Sequence, residues 1–283
     1  MRIATSGTMA AYIMAKRTML PPQPAAPAAA RIRRGYFECR YGQLHVHQAI
    51  PAGGGFEEGT PLLALHAAPF SGRMFAGLFA RIGQSRSAFA PDLPGFGASD
   101  APAPLSIAEH AAAIGDFIDM MRLREINVMG CGFGALVALE LAAARPAVKR
   151  VVIAALPVAA APEPPRSADL AEAYLLQAWT GARTDCGPEA PLASAFTACA
   201  ERLLNGAQAA AAAAAERDYP LRERLRQSAQ PLLLLHSSEW PRNFGAQLED
   251  LPARARQRLP GGLALFESAP QSIAAAIHDF LNA

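Results

Sequence analysis

The side chains best suited to chemistry in this 283-residue chain are a few histidines and cysteines near the ends of apolar runs. His45 and His47 alternate on one face of a predicted strand, which is a spacing that a metal-binding pair uses. No carboxylate or third ligand accompanies them in the sequence, so we interpret them as an exposed strand face and predict no metal and no cofactor. His236 ends a predicted buried strand, where an imidazole can serve as an acid, a base or a ligand contact.

Cys131 lies between two glycines, and a thiolate there would be a competent nucleophile if its pKa were lowered. We interpret it instead as a buried structural thiol. The four cysteines are widely spaced and form no C-x-x-C pair, which excludes zinc-ribbon and thioredoxin-like sites. Scattered cysteines in a long chain indicate a reducing compartment, and we predict a cytoplasmic location.

The composition excludes several classes of function. Hydrophobic residues make up 52% of the chain and charged residues 18%, with 26 basic residues against 24 acidic ones. Such a near balance of basic and acidic residues does not predict a basic surface for binding nucleic acid. No uncharged apolar stretch reaches 18 residues, so no membrane span is predicted. The length suits one large domain, or one domain with an insertion.

Residues 1–35 differ from the rest of the chain. They are basic, contain no acidic residue and include a Pro/Ala run at 21–30. We predict a disordered or targeting-like extension, because such a segment has little apolar surface to bury.

From residue 36 the chain alternates between strand and helix patterns. Continuous apolar runs predict strands buried on both faces, and runs with a 3.6-residue period predict helices at 106–121, 135–145 and 272–281. Such alternation is typical of an α/β domain with a mostly parallel sheet flanked by helices. The predicted strands are 36–40, 43–50, 62–66, 87–91, 126–129, 151–156 and 232–235.

The alternation stops between about residues 162 and 230. That stretch reads as helices only: 168–179, 191–204 and one around the alanine tract at 209–215. A helical insertion between two core strands is most simply a cap over the end of the sheet.

Four short motifs occur in order: HAAP at 66–69, DLPGFGASD at 92–100, GCGFG at 130–134 and PGGL at 260–263. Together they resemble the α/β-hydrolase family, in the capped branch that includes esterases, haloalkane dehalogenases and epoxide hydrolases. The resemblance covers residues 36–282 and implies an α/β-hydrolase fold with a helical cap. It also implies that Asp92 and Asp100 tie down the loop after the fourth strand.

The family places its nucleophile at the centre of G-x-S-x-G, on a sharp strand-to-helix turn. The matching position here is Gly132, which has no nucleophile. The resemblance places the family's acid at Trp240, with Glu239 one residue away, and its histidine at Leu263. All three positions are substituted, so we predict that hydrolysis by the family's triad is lost.

The family's oxyanion hole does not depend on side chains. It uses backbone N–H groups, and the matching residues here are Phe133 and Ala68. The resemblance therefore implies a retained binding cradle, with His236 beside it.

We favour a non-hydrolytic pseudoenzyme that binds a small hydrophobic carbonyl compound in a capped pocket, or a protein partner. The alternative is an active hydrolase or lyase that uses relocated residues, namely His236, Glu239, Ser71 or Cys131. A homo-oligomer, or a structural subunit paired with an active relative, is a further hypothesis.

Overall fold

The computed structural model describes residues 29–53, 58–101, 103–154, 171–187, 190–237, 255–259, 266 and 270–283. Eight strands form one sheet in the described part of the chain. They are β1 (Arg31–Cys39), β2 (Gly42–Ile50), β3 (Leu62–Leu65), β4 (Ala88–Pro91), β5 (Ile126–Cys131), β6 (Val148–Ala154), β7 (Leu232–Ser237) and β8 (Ala255–Leu259).

The strand order is β1-β2-β4-β3-β5-β6-β7-β8. β2 pairs antiparallel with both β1 and β4, and every other pairing is parallel. The carboxyl ends of β3, β4, β5, β6 and β7 therefore meet at one edge, which is where open α/β sheets place their sites.

Helices cover both faces of this sheet, as predicted for an α/β domain. They are α1 (Ala76–Ile82), α2 (Ile107–Met120), α3 (Phe133–Ala144), α4 (Ala171–Cys186), α5 (Leu192–Leu204), α6 (Gly206–Asp218), α7 (Leu221–Gln227) and α8 (Pro270–Asn282). A short 3₁₀ helix, Gly72–Phe75, precedes α1.

Alternate strand residues face two separate apolar clusters. Leu63 and Leu65 of β3 pack with α2 and α3, whereas Leu62 and Ala64 pack with α1 and α8. This follows from the two-residue period of a strand, and it explains why the central strands are apolar throughout.

Several element bounds differ from the sequence predictions. β1 begins at Arg31, five residues before the predicted strand, and its first half lies inside the predicted 1–35 extension. β8 and α1 were not predicted, because β8 has a polar sequence and α1 has only seven residues. Between β6 and β7 the described residues hold four helices, α4 to α7, where three were predicted.

Candidate functional site

The turn between β5 and α3 has the geometry of a nucleophile elbow without a side chain at its apex. Gly132 has φ 53° and ψ −124°, a conformation that residues with a Cβ adopt only at a cost. The flanking glycines are needed for close packing: a Cβ on Gly130 would lie 2.7 Å from the Ala135 nitrogen, and one on Gly134 would lie 2.5 Å from the His66 oxygen. The turn is therefore intact, and the apex offers backbone only.

Cys131 has the surroundings of a structural thiol rather than of a nucleophile. It is fully buried as the last residue of β5, in the apolar cluster that α1 and α8 cover. Burial strongly raises the pKa of its thiol, so the thiol stays protonated at neutral pH. These facts support the interpretation of Cys131 as a structural thiol.

Two backbone donors lie beside the apex. The Gly134 N–H donates to the His66 oxygen at 3.0 Å, which joins the elbow to the loop after β3. Phe133 precedes Gly134, and Ala68 follows His66 by two residues, so their N–H groups belong to the two segments that this hydrogen bond joins. Within the described ranges, neither N–H has an acceptor. The Phe133 ring is buried against His110 and Phe96, which leaves its N–H as the part available to a ligand.

His66 is committed to the fold. Its Nε2 accepts the Leu93 N–H at 2.8 Å, so the ring proton lies on Nδ1, which donates to the Ala67 oxygen at 3.0 Å. Burial lowers its pKa, and the ring is neutral. The His66 side chain thus links the end of β3 to the loop after β4 by hydrogen bonds, and it is not placed to act as a base.

A serine–carboxylate contact involves the same loop after β3 that carries Ala68. The Ser71 hydroxyl donates to Glu201 Oε1 at 2.5 Å, and Ser71 is 5% exposed. Ser71 precedes the 3₁₀ helix, and Glu201 lies on α5, 130 residues away. Ser71 is among the residues predicted from the sequence and Glu201 is not, because only the packing of α5 onto this loop brings the two together.

Helices α4, α5 and α6 line a partly open cavity of about 310 Å³ against the same loop. Its walls include Pro69, Tyr174, Ala178, Arg202 and Ala209. Asn205 holds α6 to the loop by donating to the Pro69 oxygen at 2.8 Å.

One wall of this cavity carries an ion pair between Arg202 of α5 and Asp185 of α4, and the Arg202 guanidinium lies 5.6 Å from the Phe70 ring centre. Burial raises the pKa of Asp185 although Arg202 opposes that shift. The cavity therefore has an apolar interior and one paired charge at its wall.

Several predicted site residues are only partly covered by the described structure. The backbone of His236 lies in β7, paired with Arg258 of β8, while its side chain lies outside the described atoms. Trp240, Glu239 and Leu263 lie outside the described residues. Their roles as the substituted acid and base positions remain predictions.

The interpretation of His45 and His47 as a pair without a carboxylate is wrong. Asp92 lies beside both, because the sheet order puts the end of β4 against β2. His45 Nδ1 lies 2.9 Å from Asp92 Oδ2, and His47 Nε2 lies 3.7 Å from Asp92 Oδ1. Burial lowers the pKa of His47 to about 4, so its imidazole is neutral at neutral pH.

Asp92 and Asp100 also fix the loop after β4, as the resemblance implied. Asp92 accepts the backbone N–H groups of Gly72 and Ala98, at 2.8 and 2.9 Å. Asp100 accepts the Gln43 N–H at 2.9 Å.

Comparison with known sequences gives one family match. The model of the family described as "Alpha/beta hydrolase family" matches residues 62–276, about three quarters of the chain. No curated protein sequence matches this chain.

Many solved structures share the fold. The N-acyl homoserine lactonase AidH, as a mutant complexed with N-hexanoyl homoserine, is 21% identical with a TM-score of 0.69 and covers 89% of this chain and 96% of its own. The epoxide hydrolase CorEH is 16% identical, with a TM-score of 0.70 and coverages of 89% and 99%. A hydrolase from Pseudomonas aeruginosa PA01 is 23% identical, with a TM-score of 0.68 and the same coverages.

None of the helices in the described ranges combines the length and the apolar composition that a bilayer crossing requires.

Proposed function

This chain belongs to the α/β hydrolase family, and we propose that it is a non-hydrolytic member that binds a small apolar carbonyl compound. The observation that carries the proposal is Gly132. It occupies the apex of an otherwise complete elbow, at φ 53°, and supplies no atom that can attack a carbonyl.

The remaining catalytic positions support the same conclusion. The resemblance assigns the acid and base positions to Trp240 and Leu263, neither of which can accept a proton. Removing a whole triad lowers turnover by about 10⁶ in a protease where it has been measured. Binding, in contrast, needs none of these side chains.

The binding elements are the two N–H donors and the cavity beside them. A carbonyl or carboxylate oxygen can accept from both Phe133 and Ala68, as an oxyanion does in the family. The apolar part of the ligand then extends past Pro69 into the cavity under α4, α5 and α6.

Acyl lactones are suitable probes for this site. One of the similar structures is a serine-to-glycine mutant of AidH complexed with N-hexanoyl homoserine lactone, at 21% identity and a TM-score of 0.69. We propose that this chain, with its native Gly132, holds a compound of this class in the same unreacted form.

The proposal is tested by calorimetric titration with N-hexanoyl homoserine lactone, followed by mass spectrometry of the recovered ligand. We expect saturable binding and an intact lactone ring. Ala209→Leu, which narrows the cavity, should weaken binding at least tenfold, whereas the matched control Ala207→Leu on the exposed face of α6 should not. Ring opening that depends on protein concentration would contradict a non-hydrolytic role.

A second candidate function is catalysis by Ser71, favoured by its 2.5 Å contact with Glu201. A carboxylate that accepts from a hydroxyl can act as its general base. A fluorophosphonate probe distinguishes the two functions: we expect no labelling, and stoichiometric labelling that Ser71→Ala abolishes would establish the second function instead.

A further inference from the structure

His45, His47 and Asp92 form a cluster away from the elbow that the proposed function does not use. Their ligand atoms all lie within 4.8 Å of one another. Both histidines project from the same face of β2, and Asp92 directly follows β4.

We infer that these three residues form a binding site for a divalent transition-metal ion such as Zn²⁺. Zinc binds imidazole nitrogen and carboxylate oxygen at about 2.0–2.2 Å, so neighbouring ligand atoms in a tetrahedral site lie roughly 3.3 Å apart. The separations from His45 to Asp92 Oδ2, 2.9 Å, and from His47 to Asp92 Oδ1, 3.7 Å, lie on either side of that value. The three ligand atoms lie within 4.8 Å of one another, so an ion that contacts all three requires the side chains to rotate inward.

The carboxylate is already oriented. Asp92 is 2% exposed, and each of its oxygens accepts one backbone N–H, from Gly72 and from Ala98. Oδ1 keeps a second lone pair for an ion, whereas the second lone pair of Oδ2 accepts from His45 Nδ1 until an ion takes that place. Hydrogen bonds of this kind to a ligand carboxylate are the usual outer support of a metal site.

The proton balance of binding is simple. In the ion-free protein, His45 Nδ1–H donates to Asp92 Oδ2. An ion can bind Nδ1 only when the single proton of the neutral ring is on Nε2, so binding moves that proton from Nδ1 to Nε2 with no net release. The histidine side chains are 13% and 17% exposed, which leaves a fourth position open to water.

The ligand set and its surroundings select the class of ion. Two imidazoles and one carboxylate suit Zn²⁺, Ni²⁺, Co²⁺ or Cu²⁺, whereas Mg²⁺ and Ca²⁺ prefer all-oxygen sites.

Arg34 of β1 lies opposite His47 in the strand register, and its charge opposes a cation. Such an ion would join β2 to the loop after β4 and, through Gly72, to the 3₁₀ helix.

The test is titration of the untagged, metal-free protein with Zn²⁺ by calorimetry. We expect one high-affinity site. His47→Gln should weaken it at least tenfold, because even the loss of an outer support costs 10- to 100-fold. The matched control His278→Gln, on the distant α8, should leave it unchanged. Arg34→Gln should strengthen it.

Free cysteines are the main competing ligands, and Cys39, Cys186 and Cys199 are partly accessible. Co²⁺ absorption separates the two cases, since thiolate ligands add intense near-ultraviolet bands that imidazole and carboxylate do not. We expect their absence. A histidine-detected NMR spectrum of the wild-type protein provides a check without any variant: Zn²⁺ should shift the ring nitrogens of His45 and His47. Unshifted rings, or equal Zn²⁺ affinity in His47→Gln, would overturn the site.

Discussion

In the proposed non-hydrolytic role, the deciding residue is Gly132, which has no side chain. A serine at an elbow must hold a positive φ, whereas glycine adopts φ 53° with little cost. Gly132 therefore offers no nucleophilic side chain at this turn and avoids the backbone strain that a residue with a Cβ would carry there. The shape of the elbow persists because Gly130 and Gly134 still allow β5, α3 and the end of β3 to approach closely.

Gly132→Ser should destabilise the protein without creating an esterase. The new Cβ must occupy the positive-φ conformation, at a cost of about 1–3 kcal/mol in the free energy of unfolding. Gly132→Ala should lose a similar amount, since it adds the same Cβ without the hydroxyl. Denaturant unfolding and a p-nitrophenyl ester assay measure both effects. Robust hydrolysis by the serine variant alone would mean that a base lies next to residue 132, and His236 would be the first residue to substitute.

His110 should make the protein sensitive to acid. Burial lowers its pKa from the ordinary 6.5 to about 4, and its Nδ1 has no partner among the described residues. The unfolded chain takes up this proton near pH 6.5 and the folded chain does not until about pH 4. The stability linked to His110 is thus fully present above pH 6.5 and is lost as the pH falls towards 4.

His110→Phe isolates this contribution, because phenylalanine keeps the ring that packs on Phe133. Between pH 7 and pH 5 the wild-type protein should lose about 2 kcal/mol more unfolding free energy than the variant. Urea unfolding at both pH values measures the difference. Equal losses of unfolding free energy in the wild-type protein and the variant would show that folded His110 already binds a proton at pH 5.

At the scale of elements, the sequence predicted the central strands and main helices because apolar runs and 3.6-residue periods report burial directly. The predicted start of β1, residue 36, is five residues later than the observed start, Arg31. The prediction failed there because Arg31, Arg33 and Arg34 give the first half of the strand the composition of a basic tail. Pairing with β2 makes it a strand regardless of composition. β8 was missed because Arg256, Gln257 and Arg258 interrupt any apolar pattern.

The candidate site was predictable only in its local parts. The elbow and the loop after β3 are continuous motifs, so Gly132, Phe133 and Ala68 followed from sequence order. The contact between Ser71 and Glu201 joins residues 130 positions apart and exists only because α5 packs onto the loop. No local pattern contains that information.

A partly buried ion pair between Arg202 and Asp185 joins two of the helices between β6 and β7, and we expect it to contribute to stability. Arg202→Met should lower the free energy of unfolding by about 3 kcal/mol, because it leaves the Asp185 carboxylate mostly buried and unpaired. The double variant with Asp185→Leu should recover most of the loss. Lys149→Met, which removes an exposed pair with Glu125, is the control and should cost under about 1 kcal/mol. Equal effects of Arg202→Met and Lys149→Met would show that the buried pair is not needed.

At the scale of the whole molecule, sheet order brings together residues that sequence spacing separates. Asp92 meets His45 and His47 because β4 lies between β2 and β3. A metal pair was not predicted because no carboxylate lies near the two histidines in the sequence. The strand order places the Asp92 carboxylate beside them. The same order puts the ends of β3 and β5 side by side, which brings the loop that carries Ala68 next to the turn that carries Phe133.

A chain that begins at Ala29 should keep the thermal midpoint of the full protein, since the Pro/Ala composition of the removed residues offers little to bury. A chain that begins at Tyr36 loses the pairings of residues 31–35 with residues 46–50 of β2. Its midpoint should fall by about 5 °C, the shift that roughly 2 kcal/mol gives in a protein of this size. Differential scanning calorimetry compares the two. A lower midpoint for the first chain would show that residues 1–28 contribute to stability.

The charged edge at β1 also bears on how separate copies of the protein meet. An exposed strand edge offers unpaired backbone groups to any neighbouring strand, which is a common route to aggregation. Here that edge carries Arg31, Arg33 and Arg34, all exposed, so two copies that approach edge to edge repel each other. Because salt screens such repulsion, self-association through this edge should become easier as ionic strength rises. Light scattering across a salt series would follow this colloidal behaviour without reference to any ligand.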